Sequence, residues 1–413
     1  MANSREGRRI RRWLLTLALS AVALSANYVY RFRFRYSELN FRFYWDWTTQ
    51  LRAGVAPWRP QADIVYTPAF VEALVPLTWL KPAHAWLVWQ FLQLAAFFAA
   101  VLLLARELGP LASRRATAAL GVVVLLLPYL LAGTIYVGSG VPLLLLLVTL
   151  AWRLARRKRS GWAGLMLAGA TVLKVYPACA AGYFLFRRRY RVVLWSALWT
   201  LVLVALTNPR YWLAGLWGAS RALGQRDMYA QERALSIAMN LYAVTSERHF
   251  YLAALAAAAA CLIASAAYAT LKAPTGAEAD GIVLGLWLAV SLLLAPVAWP
   301  HEIALLMPLY LYAADILLQR YRMVPVAARS LLLAGAVGIV VPYYSSPARS
   351  LHLYFFALVA QYLGGCWLVA GPGWRAEPAS TGQRPVVPWG EAAGVGASRP
   401  PRSGGPSNSE AGR

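Results

Sequence analysis

The sequence predicts an all-α polytopic integral membrane protein, and three observations carry that reading. Hydrophobic residues make up 60% of the 413 residues and charged ones only 14%. Several apolar runs reach or exceed about 18 residues without a charge, the length that crosses a bilayer as a helix. The clearest are 84–104, 116–137, 249–271 and 281–299. Strands do not account for them, because an open sheet leaves backbone groups unsatisfied in lipid. The third observation is where the net charge of +24 sits. The basic residues cluster between the apolar runs, at Arg8 to Arg12, Arg153 to Arg159, Arg187 to Arg191, and Arg320 with Arg322. That is the pattern of cytoplasmic loops, and it argues against a nucleic-acid partner.

The elements follow in order. Residues 1–12 read as a basic cytoplasmic N-terminus. The run from Trp13 to Ala26 has the arginines and the Leu24-Ser25-Ala26 ending of a signal peptide. It continues apolar to Tyr30, so it is read as a retained first span, about 13–30. An outer segment at about 31–69 follows. Ala69 to Leu80 is too short, and too interrupted by Pro76, to cross; it reads as re-entrant or interfacial. Spans at 84–104 and 116–133 flank a loop with Arg106, Arg114 and Arg115. A fourth span returns from the uncharged 133–142 loop to the basic run at 153–159.

Gly161 to Phe186 departs from this regularity. Its middle holds Lys174, Tyr176 and Pro177. A mid-membrane lysine costs about 2.5–3.5 kcal/mol on insertion scales, and proline removes a helical hydrogen bond. The stretch therefore predicts two short segments, 161–173 and 178–187, meeting at a turn that opens outward. Broken helices of this kind line polar cavities or are buried in protein; a lysine snorkelling from a helix end is the plainer alternative. The 191–207 span leads to a second outer segment at 208–248. Spans near 250–271, 281–298, 303–319, 327–344 and 351–371 complete a membrane domain of 13–372. Residues 373–413, rich in Pro, Gly, Ser and Ala, read as a disordered cytoplasmic tail. The whole gives about 11–13 transmembrane or re-entrant helices with both termini cytoplasmic, as in a multi-pass cell-membrane protein.

Cys179, Cys261 and Cys366 lie in apolar segments and read as core residues, offering neither a disulfide framework nor a zinc site. No Walker loop, HExxH or GxSxG motif occurs. The unusual polar residues collect instead on the outer side: Glu38, Asn40, Tyr44, Asp46, Asp63 and Tyr66; Lys174 and Tyr176; Asp227, Glu232 and Ser236; His301 and Glu302. A carboxylate there can serve as general base toward a hydroxyl. Lysine or histidine can hold a phosphate leaving group, and the aromatics suit sugar faces and the membrane boundary.

Over roughly 35–320 the chain resembles glycosyltransferase family 87, membrane enzymes of the type C glycosyltransferase class. Asn40, Phe41, Tyr44, Trp45, Leu51, Gly54, Pro57 and Trp58 follow that family's first outer loop. Tyr66-Thr67-Pro68, then Leu173, Lys174 and Pro177, then Pro296, Trp299 and His301 follow its later motifs in order. The resemblance implies transfer of a hexose such as mannose, with inversion, from a polyprenyl-phosphate donor to a lipid or glycan acceptor on the outer face. No cofactor or metal is implied. Lys174 and His301 would contact the donor phosphate, and Asn40, Tyr44, Tyr66, Tyr176 and Glu302 would line the substrate site. Asn40 falls where the family's acid stands, so Asp46 or Glu38 becomes the expected base. Asn40 equally admits a catalytically inactive relative, and a transporter or flippase of lipid-linked sugars is the alternative from a different class.

Overall fold

The computed structural model describes residues 39–57, 66–107, 138–207, 211–213, 235–244, 248–295, 298–320, 323–344 and 352–371. The expected first span, the 116–137 run, most of the 208–248 segment and the C-terminal tail lie outside them. So do Glu38, Asp63, Asp227 and Glu232.

Among the described residues there is no strand, and four helices are long and apolar enough to cross a membrane. They are α3 (Pro82–Glu107), α9 (Arg248–Lys272), α10 (Ala277–Leu294) and α13 (Leu353–Ala370). The others are α1 (Leu39–Arg52), α2 (Pro68–Leu74), α4 (Val141–Arg156), α5 (Ser160–Leu173), α6 (Ala180–Phe186), α7 (Tyr190–Leu206), α8 (Ile237–Val244), α11 (Met307–Arg320) and α12 (Val326–Tyr344). This is an all-α polytopic membrane protein.

α1 forms because Phe41, Tyr44 and Thr48 recur at helical spacing and bury one face, while Arg42, Phe43, Asp46 and Thr49 face out. Gly54 stops it. Its φ of +76° lets its own N–H reach Leu51 O and the next N–H reach Gln50 O, the glycine-capped helix end. Ala69 to Leu80 is, as expected, too short to span. It is α2 followed by a 3-10 turn, Val75–Trp79, with Pro76 at the join.

α10 is the central helix. Nearly all of its residues are buried, whereas most of α9 is exposed or half-buried. It packs on α9, α11 and α13, and Gly285 is what lets α11 approach. A Cβ there would stand 2.6 Å from the Leu309 backbone nitrogen, so any side chain would push the helices apart. α9 presents most of its surface outward, which corrects one expectation: Cys261 on α9 is exposed rather than a core residue, while Cys179 and Cys366 are half-buried.

One further span differs from its sequence reading. Residues 300–306 form a 3-10 turn rather than the first turns of an α-helix, which begins at Met307. Pro300 and Pro308 explain it: proline lacks the N–H of the α ladder, and its ring crowds the carbonyl four residues back.

Candidate active site

The helix break lies where the sequence places it. α5 ends at Leu173, Lys174 is extended (φ −152°, ψ 129°), and Tyr176–Cys179 is a 3-10 turn with Pro177 in its first positions. α6 then leads away. Ending a helix inside the molecule leaves its last carbonyls without donors, and a distant residue supplies one. Thr67 donates its hydroxyl to Val172 O and to Leu173 O (3.3 Å), while the same oxygen accepts the Phe70 N–H (3.3 Å) as N-cap of α2. The Tyr66-Thr67-Pro68 triplet is thereby a joint. Proline opens α2, threonine caps it and closes α5, and Tyr66 is delivered to Lys174.

The Lys174 ammonium forms an ion pair with Glu302. It also lies 5.2 Å from the Tyr66 ring centroid and 4.9 Å from that of Tyr176, within cation–π range. Glu302 is fully buried, and its other oxygen accepts the Trp299 N–H at 3.4 Å. His301 beside it is buried too. Tyr44 donates to the Tyr66 hydroxyl at 2.5 Å and packs edge-on against the Tyr66 and Phe70 rings. Burial pushes the Tyr44 phenol well above its ordinary pKa, and Tyr66 and Glu302 push it further. Tyr44 therefore stays protonated and keeps donating.

A cavity of about 10 Å³, the size of one water, opens beside Lys174. Tyr66, Phe70, Ser139, Gly140, Val141 and Leu144 line its other walls. The start of α4 thus faces the ammonium. Val141 N–H bonds Ser139 Oγ (3.3 Å) and Leu143 N–H bonds Gln93 Oε1 (3.4 Å). The helix end contributes its positive dipole rather than free donors. Chemically, the arrangement is a lysine in an aromatic cage at a helix N-terminus, held by one buried carboxylate.

Of the residues nominated from sequence, the structure brings together Tyr44, Tyr66, Lys174, Tyr176 and Glu302. It does not bring Asp46 to them. Two residues along a helix is about 200°, so Asp46 stands on the exposed face of α1, away from Tyr44. Asn40 lies in α1, and Glu38 lies outside the described residues. Ser236 is buried at the start of α8, where its hydroxyl accepts the Met239 N–H at 3.3 Å. Thr67 and the Ser139–Val141 turn went unnominated. A threonine before proline, ahead of an apolar run, was the signal for the first.

A polytopic helical bundle with an ion pair buried among aromatics at a broken helix has the make-up of a membrane protein with a polar site inside its helices. Residues 65–296, more than half of the chain, match glycosyltransferase family 87, and the chain belongs to that family. It is accordingly a membrane glycosyltransferase. No curated protein matches the chain. The family match takes in Tyr66, Lys174 and Tyr176 but begins after α1 and ends before His301 and Glu302.

Proposed function

We propose that the chain transfers a hexose, with mannose the expected sugar, from a polyprenyl-phosphate donor to a lipid or glycan acceptor at the outer face of the cell membrane. The observation that carries this reading is Lys174: an ammonium set between two tyrosine rings, against a cavity at the N-terminus of α4. The donor leaves as a phosphate, and an ammonium aimed at that oxygen stabilises the charge as it develops. Glu302 holds Lys174 in place through one oxygen and the Trp299 N–H through the other. A phosphate needs more room than one water, so donor binding parts Tyr66 from the α4 turn. His301 and Tyr176 complete the phosphate side, and the acceptor approaches from α1. Asp46 faces away from Lys174, so Glu38 is the acid this reading requires as base.

Purified protein incubated with a panel of polyprenyl-phosphate sugars tests the proposal by release of polyprenyl phosphate. Turnover with at least one donor is expected, and none with any donor would sink it. In the same assay Asp46→Asn is expected to keep most of the turnover, and Glu38→Gln to lose about 100-fold, in the range of a missing general base. The reverse pattern would return the base to Asp46.

A further inference from the structure

A second cluster of charge lies at the end of α5 farthest from Lys174. Two loops there, 157–159 after α4 and 187–189 after α6, have the same build. In each, the third residue's N–H reaches back five positions: Arg159 to Leu154 O at 2.9 Å, Arg189 to Phe184 O at 2.8 Å. In each, the middle residue is left-handed: Lys158 at φ 61° and Arg188 at φ 57°. This is the helix-ending turn whose left-handed position glycine fills without steric penalty. Both loops place a long cation there instead.

The two loops are neighbours. α5 and α7 start level with one another, and Gly164 is the contact: a Cβ there would overlap Trp195 and stand 2.7 Å from Ser196 N. Behind the loops the available acids are already used. Glu107 pairs with Arg153 (3.1 Å) and Arg156 (3.5 Å), and Asp280 pairs with Arg187 (3.0 Å) and Arg189 (3.8 Å). Arg157, Lys158, Arg159, Arg188 and Arg191 are all exposed and have no carboxylate partner among the described residues. One turn further along, Trp162 (61% exposed), Tyr190 and Trp195 project from the same ends of α5 and α7. Five unpaired cations above a ring of exposed amphipathic aromatics match the charge and depth of a lipid headgroup layer.

We propose that these two loops and the first turns of α5 and α7 form a binding surface for an anionic phospholipid of the surrounding bilayer. The headgroup phosphate is held by Lys158, Arg188 and their neighbours, and the acyl chains lie along Trp162 and Trp195. The surface is distinct from the proposed donor site, which is about 20 Å away along the 14 residues of α5, and it does not depend on that reading.

The test reconstitutes the full chain in mixed phosphatidylglycerol and phosphatidylcholine vesicles. Lipids retained after gentle extraction are then counted by native mass spectrometry. The wild type is expected to enrich phosphatidylglycerol several-fold, with enrichment falling as salt is raised. The Lys158→Gly/Arg188→Gly variant removes two charges while placing the preferred residue at both left-handed positions. It is expected to lose most of the enrichment while its melting temperature holds or rises. Replacing all five cations with glutamine is expected to abolish enrichment. Equal retention of the two lipids by the wild type would overturn the proposal. So would enrichment that survives in the doubly substituted protein.

Discussion

Lys174 and Glu302 stabilise each other only as a pair. Glu302 has no solvent exposure, so removing one partner leaves the other charge buried without compensation, at a cost of about 3–5 kcal/mol. Glu302→Gln is therefore expected to lower the melting temperature in detergent markedly, and Lys174→Met to do the same. The Lys174→Met/Glu302→Gln double variant is expected to recover a large part of that loss, because a neutral pair has no stranded charge. Polyprenyl-phosphate release separates stability from function: the double variant, folded again, should still be inactive. Recovery of turnover along with stability would show that Lys174 does not handle the phosphate. The same pair shows what sequence could and could not deliver. A lysine in an apolar run followed by Tyr-Pro is anomalous on cost alone, so it was legible. Its partner lies 128 residues away, and only the fold joins them. Glu302 also sits in the first turn of the 300–306 segment, where an acid is favoured.

At the scale of elements, one hydroxyl joins two helices. Thr67 caps α2 and closes α5, so α2 is fixed to the helix break by a residue with 6% exposure. Thr67→Val keeps the shape and removes the bonds. The expected loss is about 1–2 kcal/mol, read by thermal unfolding. Donor KM should rise as well, because Tyr66 is positioned by the same joint; an unchanged KM would uncouple the joint from the site. Helices set by periodicity and proline, such as α3, α5 and α10, were readable within a few residues. The orientation of Asp46 was not anticipated. An acid among tryptophans looks like part of one cluster in a linear stretch, but helical winding turns Asp46 away from Tyr44. The 3-10 turn at 300–306 was missed for a similar reason: apolar content marks a span without saying how the backbone winds between two prolines.

At the scale of the whole molecule, the arithmetic of lengths places the site. The 14 residues of α5 rise about 21 Å, short of a hydrocarbon core of about 30 Å. The 3-10 turn and the seven residues of α6 descend about as far, so the chain returns to the level of the basic loops. α5 and α6 thus form a re-entrant hairpin with Lys174 at its tip. At the tip α2 packs against α5, and Tyr66 reaches Lys174. α1 and Lys174 lie toward one end of α5 and the 157–159 and 187–189 loops toward the other. By the positive-inside rule the loop side is expected to be the cytoplasmic one. Cysteine labelling on intact cells tests the assignment, starting from a chain in which Cys179, Cys261 and Cys366 are replaced by alanine. Thr49→Cys, on the exposed face of α1, is expected to react with a membrane-impermeant maleimide from outside. Arg157→Cys is expected to react only after permeabilisation. The opposite result would turn the site toward the cytoplasm, where acceptor and donor would have to be met from the other leaflet.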